Sequence, residues 1–178
     1  MNIRTFQETS PSLGKRVYVD PSAVVIGKVT IGDDSSFWPM AVARGDVHSI
    51  TIGARTSVQD GVILHVTHAG PYQPDGYALT IGDDVTIGHN AILHGCEIKN
   101  NCLIGMGVTV MDGAVVQSEV IIGANSLVPP NKTLESGYLY VGAPVKQARP
   151  LTDKEKSFIP YSAKNYVKLK DQYLEMID

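Results

Sequence analysis

The chain has 178 residues, 43% of them hydrophobic and only 7% aromatic, with a formal net charge of −3. That length suits one buried core plus a tail. The slight negative charge leaves no footprint for nucleic acid or an anionic membrane, and no apolar run approaches the roughly 18 residues that would span a bilayer. Cys96 and Cys102 lie only six residues apart, which argues against a disulfide framework and predicts a reducing, cytoplasmic setting.

An amino-terminal segment, residues 1–18, comes first. It is polar from Met1 to Leu13 and contains no hydrophobic signal core.

From Val19 a six-residue period takes over. Steps of six pass through Val25, Ile31, Phe37 and Ala43, resume after a three-residue insertion at Ile52, Val58 and Leu64, and resume after an eleven-residue insertion at Ile81, Ile87 and Leu93. One residue is then missing, and the phase continues through Ile98, Ile104, Val110, Val116, Ile122 and Val128. Four residues beyond most of these positions stand small or β-branched side chains such as Ala23, Ser35, Ala41, Thr56, Ala91, Cys102, Ala114 and Ser126. One inward aliphatic residue and one small corner residue per six is the pattern of a parallel β-helix with three short strands per coil. A β-sandwich would need hairpin turns every 8–12 residues, and the constant phase opposes it. The seventeen hexads, residues 19–133, predict between five and six coils.

Residues 134–150 read as a connector, punctuated by Gly142 and Pro144. In the last segment, 151–178, Thr152 and Glu155 form a capping box that starts a helix. Pro160 is expected to interrupt it, with a second start at Ser162 leading to an apolar face of Tyr166, Leu169, Tyr173 and Ile177. That face needs the side of the β-helix as its partner, in the same chain or a neighbour.

The outward positions carry the chemistry. His65 follows Leu64 and His94 follows Leu93, three hexads apart once the insertion is removed, so the two histidines stack in one column at the strand spacing of about 4.8 Å. Arg44 falls in the same column one coil earlier. His89 lies on the preceding face above Asp60. Two stacked imidazoles suit a shared zinc ion. A third ligand, His89, turns round a corner from His94, so a copy from an adjacent subunit of a cyclic trimer is the easier geometry. Three histidines leave a position open for chemistry. A lone outward histidine is more often merely solvated or paired with a carboxylate, and His48 and His68, without phase partners, fit that description. Arg44 with Asp46 also reads as an ordinary surface ion pair, and Gln59 and Asp60 as polar decoration of a coil.

The run Arg44-Gly45-Asp46, Gln59-Asp60 with His65, and Ile87-Gly88-His89 with His94-Gly95-Cys96 closely resembles the gamma-class carbonic anhydrase-like proteins, in particular their bacterial YrdA/PaaY branch. Trp38-Pro39, Gly142-Ala143-Pro144 and Tyr161-Ser162-Ala163 extend the match over nearly the whole chain. The resemblance implies an all-β, left-handed parallel β-helix with a carboxy-terminal α-helix, assembled as a homotrimer. It implies that His65 and His94 of one subunit and His89 of the next hold zinc, or iron or cobalt in its place, for the reversible hydration of carbon dioxide to bicarbonate. It further implies that Arg44 and Asp46 form an interface pair, that Gln59 orients the water at the metal, and that Tyr166 approaches the site from the tail. The archaeal pattern has a glutamate proton shuttle where this chain has Val47, and residues 66–80 contain no glutamate. His68 is the candidate substitute, with Asp75 a poorer one. Two other readings stand beside this one: a coenzyme-A-dependent hexapeptide acyltransferase, and a metal-binding trimer without significant turnover.

Overall fold

A computed structural model describes residues 2–176. All seventeen positions of the hexad phase are buried, none more than 3% exposed. The eight small corner residues named above are as deeply buried, because a larger side chain would not fit where the strand bends inside a narrow coil. Two sheets result. An eight-stranded sheet stacks Tyr18–Val19, Ser36–Phe37, Ser57–Val58, Thr86–Ile87, Leu103–Ile104, Ile121–Ile122 and Tyr138–Val141 in parallel, and antiparallel Lys146–Pro150 closes it. A twelve-stranded sheet supplies the other two faces, because its long strands Val24–Ile31 and Val42–Ile52 run round a corner and pair with different neighbours at each end. The architecture is therefore a parallel β-helix of hexapeptide repeats with three faces.

Parallel pairing extends past the hexad phase at both ends. Asn2–Arg4 and Ser12–Leu13 pair with Val24–Ile31 as an opening turn, and Tyr138–Val141 pairs with Ile121–Ile122. The solenoid thus has about eight turns rather than five to six. The terminal coils lack the six-residue rhythm because they bury one side only and face solvent or the tail on the other.

The tail is one uninterrupted helix, α1 (Asp153–Glu175), with Pro160 inside it. The expected second start at Ser162 is not present. Proline removes the bond to the Lys156 carbonyl, but Lys156 is exposed, so water can take that group, while tertiary packing on both sides of Pro160 holds the helix together. Ile159 joins Ile121 and Leu151 in a small second core. Ala163 is fully buried, and the Ser162 and Thr86 hydroxyls share a 2.9 Å hydrogen bond. Beyond them, Trp38 meets Tyr166 and Tyr173 with ring centroids 6.0 and 5.2 Å apart. Ile177 lies outside the described residues. The partner of α1 is thus the eight-stranded face of its own chain. At its far end the fully buried Lys170 ammonium donates to Asp34 at 2.7 Å and Asp171 at 2.5 Å.

Candidate metal centre

His65 and His94 pair in register on adjacent parallel strands, Ile63–His65 and Ile92–His94. The next strand over, Val42–Ile52, carries Arg44 and Asp46 alongside. His65 Nδ1 and His94 Nε2 face each other at 3.0 Å. The other nitrogen of each ring is engaged by a carboxylate: His65 Nε2 lies 3.2 Å from Asp46 Oδ1, and His94 Nδ1 lies 2.6 Å from Asp112 Oδ1. Ionised carboxylates only accept, so those outer nitrogens carry the hydrogens. Two lone pairs are then left facing one another, and only a positive charge satisfies them, either a proton or a metal ion. Burial lowers the His65 pKa below the ordinary histidine range, with Arg44 and His94 adding to the effect and Asp46 opposing it. A neutral imidazole is what a metal requires. Two nitrogens on one tetrahedral zinc ion stand about 3.3 Å apart for bonds of about 2.0–2.1 Å, close to the separation here. The residues present fit such an ion.

Arg44 Nη1 donates to Asp46 Oδ2 at 2.6 Å. Burial pushes the Asp46 pKa up, but the hydrogen bonds from Arg44 and His65 outweigh it, and the carboxyl stays below its usual range. Arg44 thereby keeps Asp46 ionised and able to hold the His65 ring.

His89 occupies a different corner. Its Nδ1 lies 2.8 Å from Asp60 Oδ2, the partner its phase predicts. With Gln59 and Tyr166 it lines a cavity of about 280 Å³ between α1 and the solenoid, together with Thr86, Met106 and Phe158. Burial, reinforced by the charge of Asp60, raises the Tyr166 pKa and keeps its hydroxyl protonated. The predicted residues therefore fall into two groups on one chain, His65, His94, Arg44 and Asp46 in one and His89, Gln59 and Tyr166 in the other. Among the described residues, no three His, Cys, Asp or Glu side chains converge to hold an ion. His68 is exposed on the insertion and bonds to neither group. Asp75 offers only its backbone carbonyl, 3.3 Å from His48 Nε2. Both cysteines are free and buried.

Asp112 was missed in the sequence. It stands two residues beyond the inward Val110, whereas His94 stands one beyond Leu93, so strict phase puts Met111 and not Asp112 in the histidine column. The coil here is one residue short and pairs Leu93 with Val110, so the period alone does not bring Asp112 beside His94.

Comparison with known proteins identifies the family. Residues 79–110 match the family described as Bacterial transferase hexapeptide (six repeats). Protein YrdA of Escherichia coli is 58% identical over 173 residues, covering 97% of this chain and 94% of that protein. A probable carbonic anhydrase of Methanocaldococcus jannaschii is 43% identical over 159 residues, covering 89% and 96%. The chain belongs to the gamma-class carbonic anhydrase-like family of hexapeptide-repeat proteins. A solved Bacillus cereus structure, described as a putative acetyltransferase, is 36% identical with a TM-score of 0.91, covering 98% of this chain and 97% of its own. No helix among the described residues is long and apolar enough to cross a membrane.

Proposed function

We propose that the protein is a zinc-dependent, gamma-class carbonic anhydrase-like enzyme that hydrates carbon dioxide reversibly at a metal site shared between subunits of a cytoplasmic homotrimer. The observation that carries this reading is the pair of ring nitrogens 3.0 Å apart with no donor between them. One chain supplies two ligands there, and His89 on a separate face supplies the third to a neighbouring copy.

An exposed aliphatic ladder beside the histidine column supports the assembly. Ile63 and Ile92 pair in register at 38% and 41% exposure, and Ile92 lines, with His94 and the 39% exposed Met111, a cavity of about 380 Å³. A surface of this kind is costly to leave in water. Covering it with a second copy would bring the Gln59, His89 and Tyr166 group of that copy toward His65 and His94.

Zinc held there would act as a Lewis acid on water near neutral pH; iron or cobalt would suit the same imidazoles. This chain's residues do the rest. Arg44 and Asp46 fix the His65 ring. Gln59, only 5% exposed and without a side-chain hydrogen bond among the described residues, is available to orient the attacking water. Tyr166 lines the same cavity as Gln59 and His89 and approaches the site from α1. His68, exposed three residues beyond His65, takes the released proton to bulk solvent.

Elemental analysis of protein purified without added metal, light scattering, and a stopped-flow hydration assay test the reading together. Near-stoichiometric metal in a trimer with hydration activity supports it. A metal-free protein that transfers acyl groups from coenzyme A would replace it with the transferase reading. A metal-bound trimer without turnover would reduce it to metal binding.

A further inference from the structure

The carboxylate of Asp112 is held at both oxygens. His94 Nδ1 donates to Oδ1 at 2.6 Å, and the Thr67 hydroxyl donates to Oδ2 at 2.7 Å. Charge-assisted bonds of this length are strong, and the carboxylate cannot turn without losing one of them. Thr67 is itself fixed. It stands at the base of the insertion and exchanges backbone bonds with Tyr77, 3.0 Å in one direction and 2.9 Å in the other. Tyr77 in turn presses on the two coils that carry the pair. Gly95, directly after His94, has φ +51°, and a Cβ there would come within 2.5 Å of Asp112 Oδ1 and 2.7 Å of Tyr77 Cβ. At Gly113, directly after Asp112, a Cβ would come within 3.0 Å of the Tyr77 ring. The Gly113 amide donates to the Gly95 carbonyl at 2.8 Å. The closed base of the insertion thus clamps Thr67, Asp112 and His94 in one arrangement.

We propose that Thr67 and Asp112 are positioning residues for His94, and that the insertion between Leu64 and Ile81 serves to build this support. Resting on the metal reading above, the inference gives the insertion a task separate from proton export. Asp112 fixes the hydrogen on Nδ1, which leaves the Nε2 lone pair aimed at His65, and it makes that nitrogen a more basic ligand. Thr67 keeps Asp112 from swinging away to solvent, where the carboxylate is only 29% exposed as it stands.

The test measures zinc affinity by competition with a chromophoric chelator, and the visible absorption of the cobalt-substituted protein, for wild type, Asp112→Asn, Thr67→Val and Thr67→Ser. Asp112→Asn should bind zinc about 10–100-fold more weakly and shift the cobalt bands. Thr67→Val should change both in the same direction by less, and Thr67→Ser, which restores the hydroxyl, should return both to wild type. Thermal midpoints of the metal-free proteins should agree. Wild-type affinity and spectrum in both Asp112→Asn and Thr67→Val would overturn the inference while leaving the metal reading intact, as would equal weakening by Thr67→Val and Thr67→Ser. A wild-type protein that takes up no zinc would overturn both. Should Asp112→Asn fail to fold, the two Thr67 variants decide the question alone.

Discussion

His65 Nδ1 and His94 Nε2 point at each other from adjacent coils, 3.0 Å apart, while Asp46 and Asp112 hold the opposite nitrogens of the two rings. None of these side chains belongs to the aliphatic interior. Their removal should therefore affect metal and not fold. His65→Ala, His94→Ala and His89→Ala are each expected to lose most bound zinc, by elemental analysis, with the far-ultraviolet β-signal unchanged. Full metal content in all three would discard the ligand assignment.

The ladder of Ile63 and Ile92 makes the assembly testable without touching a ligand. A charge at Ile92 would have to be desolvated against the neighbouring copy for subunits to close. Ile92→Glu should give a monomer at micromolar concentration in light scattering, and with it the loss of bound metal. A monomeric variant that keeps its zinc would show that one chain suffices.

Much of this site follows from a period of six. The stacking of His65 on His94 and of His89 on Asp60 depends only on which residue of each hexad points inward, and β-pairing fixes the rest. The parts that escaped the period depend on side-chain reach. Asp112 crosses one position sideways at a turn, and Thr67 lies in an insertion whose closure on Tyr77 has no local sequence rule. Asn2–Arg4 was illegible for a similar reason, since one strand of three residues acquires its meaning only from pairing with Val24–Ile26. The helix through Pro160 shows the same limit, because local propensity predicted a break and the packing of Ile159 and Ala163 overrode it.

The start of α1 should be sensitive to acid. Arg149, then the Thr152 backbone amide and hydroxyl, hold the Glu155 pKa down to about 2 from 4.5. A depressed carboxyl stabilises the fold above its unfolded value, and that contribution is lost as pH falls from 4.5 toward 2. The helical signal of wild type should decline across that window, and Glu155→Gln should show less of the decline. Thr152→Ala should cost about 1 kcal/mol at neutral pH in a urea titration. Superimposable acid titrations of wild type and Glu155→Gln would refute the role of the cap.

Lys170 allows a ranking of two substitutions at one ion network. Lys170→Met leaves Asp34 and Asp171 about one third exposed and still beside Arg16, so the cost should be moderate, roughly 1–3 kcal/mol. The double change Asp34→Asn and Asp171→Asn strands a fully buried ammonium without a counter-charge, and its cost should approach 3–5 kcal/mol. Urea midpoints in the reverse order would mean that the lysine is tolerated there without its partners.

Proton export is where this chain departs from the archaeal pattern, with Val47 in place of the glutamate. Val47 is 46% exposed and cannot carry a proton. The groups that fix the proposed metal ligands are all committed: Asp46 to Arg44 and His65, Asp112 to His94 and Thr67. Proton departure rather than attack should then limit turnover, and His68, exposed three residues beyond His65, is the candidate relay. His68→Ala should slow hydration severalfold in weak buffer and little in strong buffer, and added imidazole should restore part of the loss. Its zinc content should equal that of wild type. Rates that match wild type at every buffer concentration would remove His68 from the mechanism and leave buffer itself as the acceptor.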